Sequence, residues 1–181
     1  TMFFPEGRSL GQKPIAVRNQ SADPNFSKFR ENLRWSIGGV TFVTIHIVGE
    51  NDNFGRTPEM DAEHLERKVA NIAWLKQAFA EAKTAGSRGV VILTQANPGF
   101  ETFWPVSAKT RYLLRFIPRG QPAPSRPLAF GDYIQTLSEE LETYDRPVAF
   151  LHGDTHIFRV DKPLYSKKTN RLFENFTRVE T

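Results

Sequence analysis

His152, Asp154 and His156 alternate within the pentapeptide His152-Gly153-Asp154-Thr155-His156. Side chains of an extended chain repeat every two residues, so an extended pentapeptide would put all three on one side. Two imidazoles and a carboxylate suit a borderline divalent ion such as Zn, Mn, Fe or Ni, and Gly153 lets the backbone turn sharply there. Spacing alone leaves a second reading beside this one, a surface turn with incidental histidines. Position separates the two. The pentapeptide follows the apolar run Pro147-Val148-Ala149-Phe150-Leu151, and ligand sites of α/β sheets lie beyond the carboxyl ends of strands. Gln95-Ala96-Asn97-Pro98 follows the run Gly89 to Leu93 in the same way. If those strands are neighbours, Gln95 and Asn97 face His152, Asp154 and His156 across one crevice. Gln95 and Asn97 would then position substrate and an oxyanion, with His152 as general acid or base. Turn capping ahead of Pro98 is the other reading of Gln95 and Asn97. Arg159 and Lys162 can bind phosphate or simply solvate a strand edge.

The elements that must carry these residues are legible in the pattern. Val40 to Val48 is rich in β-branched residues and runs into the polar loop Gly49 to Asn53, the look of a buried strand ending in a loop. Thr57-Pro58-Glu59 is an N-cap, a proline at the first helical position and an acid in the first turn. Leu65, Val69, Ile72, Leu75 and Phe79 then recur at helical spacing, which predicts one amphipathic helix from about Pro58 to Ala85, closed by Gly86. Asp132 to Tyr144 predicts a second helix through Ile134, Leu137 and Leu141. Ile157 to Val160 and Asn175 to Val179 read as strands joined through Lys167 to Asn170. Residues 1–39 read as an irregular arm with a short helical piece near Phe26 to Glu31, and the Pro-rich segment Gln95 to Arg126 reads as loop. His46 and His64 read as structural histidines, and Glu50 to Asn53 as loop. Phe100, Phe103 and Trp104 either line a cleft or bury that loop. The class is α/β, built as strand, helix, strand repeated once, within a single domain spanning 1–181.

The order of apolar strand with Gln95-Ala96-Asn97-Pro98, helix, and apolar strand with Gly153-Asp154-Thr155-His156 resembles the last two motif blocks of calcineurin-like metallophosphoesterases. In that family the first block ends in a metal-binding His, where this chain has Gln95. The second block is Gly-His-x-His, where this chain has Asp154 in place of the first His, and His156 matches the last. A subgroup with Gln-Ala and His-Gly-Asp-Thr-His forms is also similar in Glu31-Asn32-Leu33-Arg34-Trp35, Val48-Gly49 and Asp161-Lys162-Pro163-Leu164, so the likeness covers nearly the whole chain. The family's three preceding blocks, Asp-x-His, Gly-Asp-x-x-Asp and Gly-Asn-His-Asp/Glu, do not occur here. The resemblance implies a partial calcineurin-like layered α/β sandwich with a mixed sheet and two main helices. It also implies a reduced, mononuclear site in place of the family's two-metal clamp, with Asp154, His156 and His152 as metal ligands.

Composition narrows the field. The chain has 181 residues with no Cys, which excludes disulfides and thiolate metal sites. A net charge of +4 without a dense Lys/Arg run makes nucleic acid an unfavoured partner. No apolar run reaches the roughly 18 residues of a membrane span, and the opening Thr1-Met2-Phe3-Phe4-Pro5 lacks the charged and apolar regions of a signal peptide; location stays open. The expected function is metal-dependent hydrolysis of a small-molecule phosphoester or related ester. The alternative is a non-catalytic fragment or binding module. A homodimer that pools ligands across a two-fold would follow from an exposed sheet edge.

Overall fold

The computed structural model describes residues 7–100 and 129–181. Phe103, Trp104 and most of the Pro-rich loop reading lie outside the described residues. Seven strands form one mixed sheet in the order β1-β2-β3-β4-β5-β7-β6. They are β1 (Arg18–Asn19), β2 (Leu33–Ile37), β3 (Val40–Thr44), β4 (Gly89–Leu93), β5 (Val148–His152), β6 (Arg159–Asp161) and β7 (Phe176–Glu180). β3, β4, β5 and β7 run parallel, while β1, β2 and β6 join antiparallel.

Three helices accompany the sheet: a single turn α1 (Gly49–Asp52), the long α2 (Pro58–Thr84) and α3 (Gly131–Leu141). The Thr57 side chain accepts from Met60 N–H at 3.3 Å, Pro58 opens the helix, and Gly86 at φ +62° stops it, as the capping signals require. β3-α2-β4 and β4-α3-β5 both step the same way along the sheet. Right-handed crossovers therefore lay α2 and α3 on one face, where they touch each other and close the core. Val43, Val90, Ile92, Val148, Phe150 and Phe176 form the sheet side of that core, against Trp74, Leu75, Phe79, Ile134 and Leu137.

Two expectations are corrected. Residues 1–39 are not simply an irregular arm: β1 and β2 lie within them, and Pro24–Phe26 is a single 3₁₀ turn in place of the expected helical piece. The missed signal is Gly38-Gly39, whose φ values of +58° and +77° make the two-residue turn of the β2-β3 hairpin. The second concerns the phase of α2. Phe79 and Leu75 point inward as expected, but Leu65 and Val69 are 48% and 61% exposed. The buried stripe of the first half is His64, Arg67, Ala70 and Asn71 instead, because buried polar partners await it there. Both sheet edges are short strands of two and three residues. That blunts the association expected at an exposed sheet edge.

Candidate functional site

The carboxyl ends of β3, β4 and β5 lie side by side, and backbone hydrogen bonds continue past the strands. Thr94 N–H donates to Leu151 C=O at 3.0 Å, Ala96 N–H to Ile47 C=O at 3.3 Å, and Gly153 N–H to Gln95 C=O at 3.1 Å. This zipping draws three loops into one crevice. Gln95 Oε1 accepts from Gly49 N–H at 3.0 Å, and Asn97 N–H donates to Asp154 Oδ2 at 3.3 Å. A Cβ at position 49 would meet Asp154 Oδ1 at 3.3 Å and Gln95 Oε1 at 3.7 Å. Gly49 therefore lets a carboxylate and an amide oxygen approach its backbone closely, where a side chain would crowd Asp154. The convergence of Gln95, Asn97 and Asp154 is present, and Gly49 is the wall that the pattern of side-chain chemistry could not reveal.

The pentapeptide itself departs from expectation. β5 stops at His152, and Asp154 and His156 take φ of +87° and +60°, so the chain coils where an extended run would alternate. His152 is 3% exposed, whereas Asp154, Thr155 and His156 are exposed. The three ligand candidates thus do not share one side. The His152 ring packs 5.9 Å from Phe150 and 6.2 Å from Phe100. Its Nδ1 lies 2.9 Å from Gly153 C=O, which makes that nitrogen the donor. Nε2 is buried with no hydrogen-bond partner among the described residues. Burial lowers the pKa of this ring, against smaller upward contributions from the Gly153 carbonyl and Glu180. His152 is accordingly a neutral ring in the floor below the crevice. Phe100 joins it there, fully buried, which settles that aromatic as core.

Glu180 is the residue that sequence reasoning missed. It ends β7 opposite His152 and is fully buried. Its Oε1 accepts from Asn97 Nδ2 at 3.3 Å and from the Thr155 hydroxyl, and its Oε2 accepts from Arg159 Nε at 2.9 Å and Nη2 at 2.5 Å. Burial pushes the Glu180 carboxyl upward. The Thr155 and Arg159 hydrogen bonds and the nearby His152 and Arg159 charges together outweigh it, and the net shift is downward. Glu180 thereby ties the Asn97 side chain to the turn that presents Asp154. Arg159, expected to meet a phosphate, spends two donors on this carboxylate. The available signal was the period of β7, which puts Arg178 and Glu180 on the same inward face as Phe176.

A second polar cluster sits behind the Gly49 loop. Asp52, fully buried, accepts at Oδ1 from Val48 N–H at 3.1 Å and Arg67 Nη2 at 2.9 Å. At Oδ2 it accepts from His64 Nδ1–H at 2.9 Å and the Tyr133 hydroxyl at 3.0 Å. Burial first, and the Asp52 charge second, push the Tyr133 hydroxyl far above its ordinary pKa, so it stays a donor. Asn71 donates to His46 C=O at 2.7 Å and accepts from Asn32, which also donates to Gln20. Asn51, Asp52 and Asn53 all have φ near +60°, a run that stands only where surrounding contacts over-determine it. Glu50 to Asn53, expected as loop, is instead the body and cap of the single turn α1, pinned from inside by His64.

Among the described residues no group of three or more His, Cys, Asp and Glu side chains is gathered to hold a metal ion. Asp154 and Gln95 bring two oxygens close to the Gly49 backbone, and the exposed His156 follows two residues after Asp154. Two oxygens fall short of the three protein ligands usual for a catalytic ion and of a two-ion clamp. Compared with family models, curated proteins and solved structures, the chain gives no match.

Proposed function

We propose that this chain is a hydrolase of phosphoesters or related small-molecule esters, acting in the crevice with one divalent ion of the Zn, Mn, Fe or Ni class held by Asp154, His156 and Gln95. The observation that carries the reading is the meeting of Gln95, Asn97 and Asp154 over Gly49 at the ends of three neighbouring parallel strands. The motif order that resembles calcineurin-like metallophosphoesterases supports it, as does a mixed sheet with its two main helices on one face. When bound, the ion would supply a water that ionises near neutral pH and a charge that polarises the ester oxygen. The chain's own residues do the rest. Asn97 offers its amide to the developing oxyanion while Glu180 fixes its rotamer. His152 stays neutral and buttresses the turn from below, in place of the acid-base role that its spacing suggested.

One observation favours a second reading, a binding module without turnover. His152 points into the core, so fewer than the three firm protein ligands usual for a catalytic ion are assembled among the described residues. One experiment separates the two. Metal analysis of the purified chain is followed by a chromogenic phosphodiester and carboxylester screen with and without EDTA. Turnover that EDTA removes and that Asp154→Asn abolishes supports the hydrolase. Stoichiometric metal without turnover supports the module, and neither metal nor turnover overturns both.

A further inference from the structure

The two helices cover one face of the sheet, and the opposite face carries no helix among the described residues. Register places Trp35 beside Phe42, Phe42 beside Val91, and Val91 beside Ala149 on that opposite face. A second row runs through Leu93, Leu151 and Val179. All are only half-buried, and the face reaches 52% exposure at Ile37 and 56% at Val160 on its flanks. Across the five central strands no charged side chain falls on this face. The charged residues of β2 and β7, Arg34, Arg178 and Glu180, all alternate to the helix side. Trp35 and Phe42 stack on it, with ring centroids 5.4 Å apart and planes within 6°.

Contiguous apolar surface of this extent marks an interaction site. We propose that it is the interface of a homodimer, in which two copies stack their open sheet faces about a two-fold axis. Three features favour a second copy as the occupant. A face without charge has no electrostatic pattern for a different partner to complement, whereas an isologous interface needs only to match itself. Two identical twisted sheets also share the same curvature, and such sheets pack aligned about 10 Å apart. The area is sufficient. Five strands of five residues, at about 3.3 Å per residue and about 4.8 Å between strands, span roughly 16 by 24 Å. With side-chain relief, two such faces bury on the order of 1,000 Å², the lower bound for a specific interface. Trp35 and Phe42 supply the aromatic anchors that such interfaces rely on. This inference is independent of the chemistry in the crevice, which opens at the strand ends.

The absence of Cys allows a clean test. Sedimentation equilibrium over a micromolar range is predicted to give a reversible monomer-dimer equilibrium, and Leu93→Lys is predicted to weaken it by at least about 100-fold by burying an unpaired charge. Circular dichroism identifies a variant that fails to fold, in which case Trp35→Ser, nearer the rim, replaces it. A nitroxide on Thr177→Cys reports the geometry, with two labels predicted within about 20 Å across stacked sheets. A monomeric mass at every concentration overturns the proposal, whether the label is then free or is immobilised by another part of the same chain. A dimer whose labels lie far apart overturns it equally.

Discussion

Asp52 and Asp154 both follow a parallel strand of the same sheet, and the chain treats them in opposite ways. Asp52 is fully buried and receives four donors from Val48, His64, Arg67 and Tyr133. Asp154 is exposed, receives one backbone N–H at 3.3 Å, and lies close against the Gly49 backbone. A buried carboxylate must have its acceptor capacity filled, since each missing partner carries a desolvation cost. An exposed one can keep capacity in reserve for a ligand. The difference teaches where to look for function: the saturated cluster holds the loop in place, and the unsaturated one is free to bind.

Removing the saturated carboxylate should break that contrast most visibly. Asp52→Ala takes one partner from Arg67, which keeps Glu63 and the backbone carbonyl of residue 52, and strands the Val48, His64 and Tyr133 donors, so a loss of about 3–5 kcal/mol in unfolding free energy is expected, read by urea denaturation. If the loss is under about 1 kcal/mol, the cluster is not what pins the loop. Glu180→Ala should cost less, about 2–3 kcal/mol, because Arg159 is a third exposed and can turn to water; Asn97 then loses its anchor.

A pH series on the wild type sharpens the role of His152. Its folded pKa is lowered, so the unfolded chain binds the extra proton first as pH falls. Stability should hold above the unfolded value near 6.5 and decline below it, until pH passes the folded value. In His152→Leu the part of the slope due to this ring should vanish, and an unchanged slope would place the acid sensitivity elsewhere. The smallest stability effect belongs to Asp154→Asn, within about 0.5 kcal/mol, yet ion binding should be lost. A large destabilisation there would erase the distinction between the two aspartates.

Most of the scaffold was readable because its signals are local. The Thr57-Pro58 start and Gly86 stop fixed α2, and the apolar runs before Gln95 and His152 marked β4 and β5 at nearly their observed bounds. Failures came where a tertiary partner overruled a local period. His64, Arg67 and Asn71 turn inward because Asp52 and Asn32 wait there, so Leu65 and Val69 are left outside despite their spacing. The convergence of Gln95, Asn97 and Asp154 followed from strand order and could be foreseen. The positive φ of Asp154 and His156 could not, since neither residue type demands it; those two turns part them from His152, which keeps the inward period of β5. Glu180 lies 83 residues from Asn97 in sequence, a separation over which no short motif reports.

The most direct test of the crevice is a calorimetric titration of Mn²⁺ and Zn²⁺ into the metal-stripped chain, beside the variant Asp154→Asn with His156→Ala. One equivalent bound by the wild type, and none by an equally stable double variant, is the predicted result. Equal binding by both would mean that the Asp154 turn beside Gly49 is not where the ion sits.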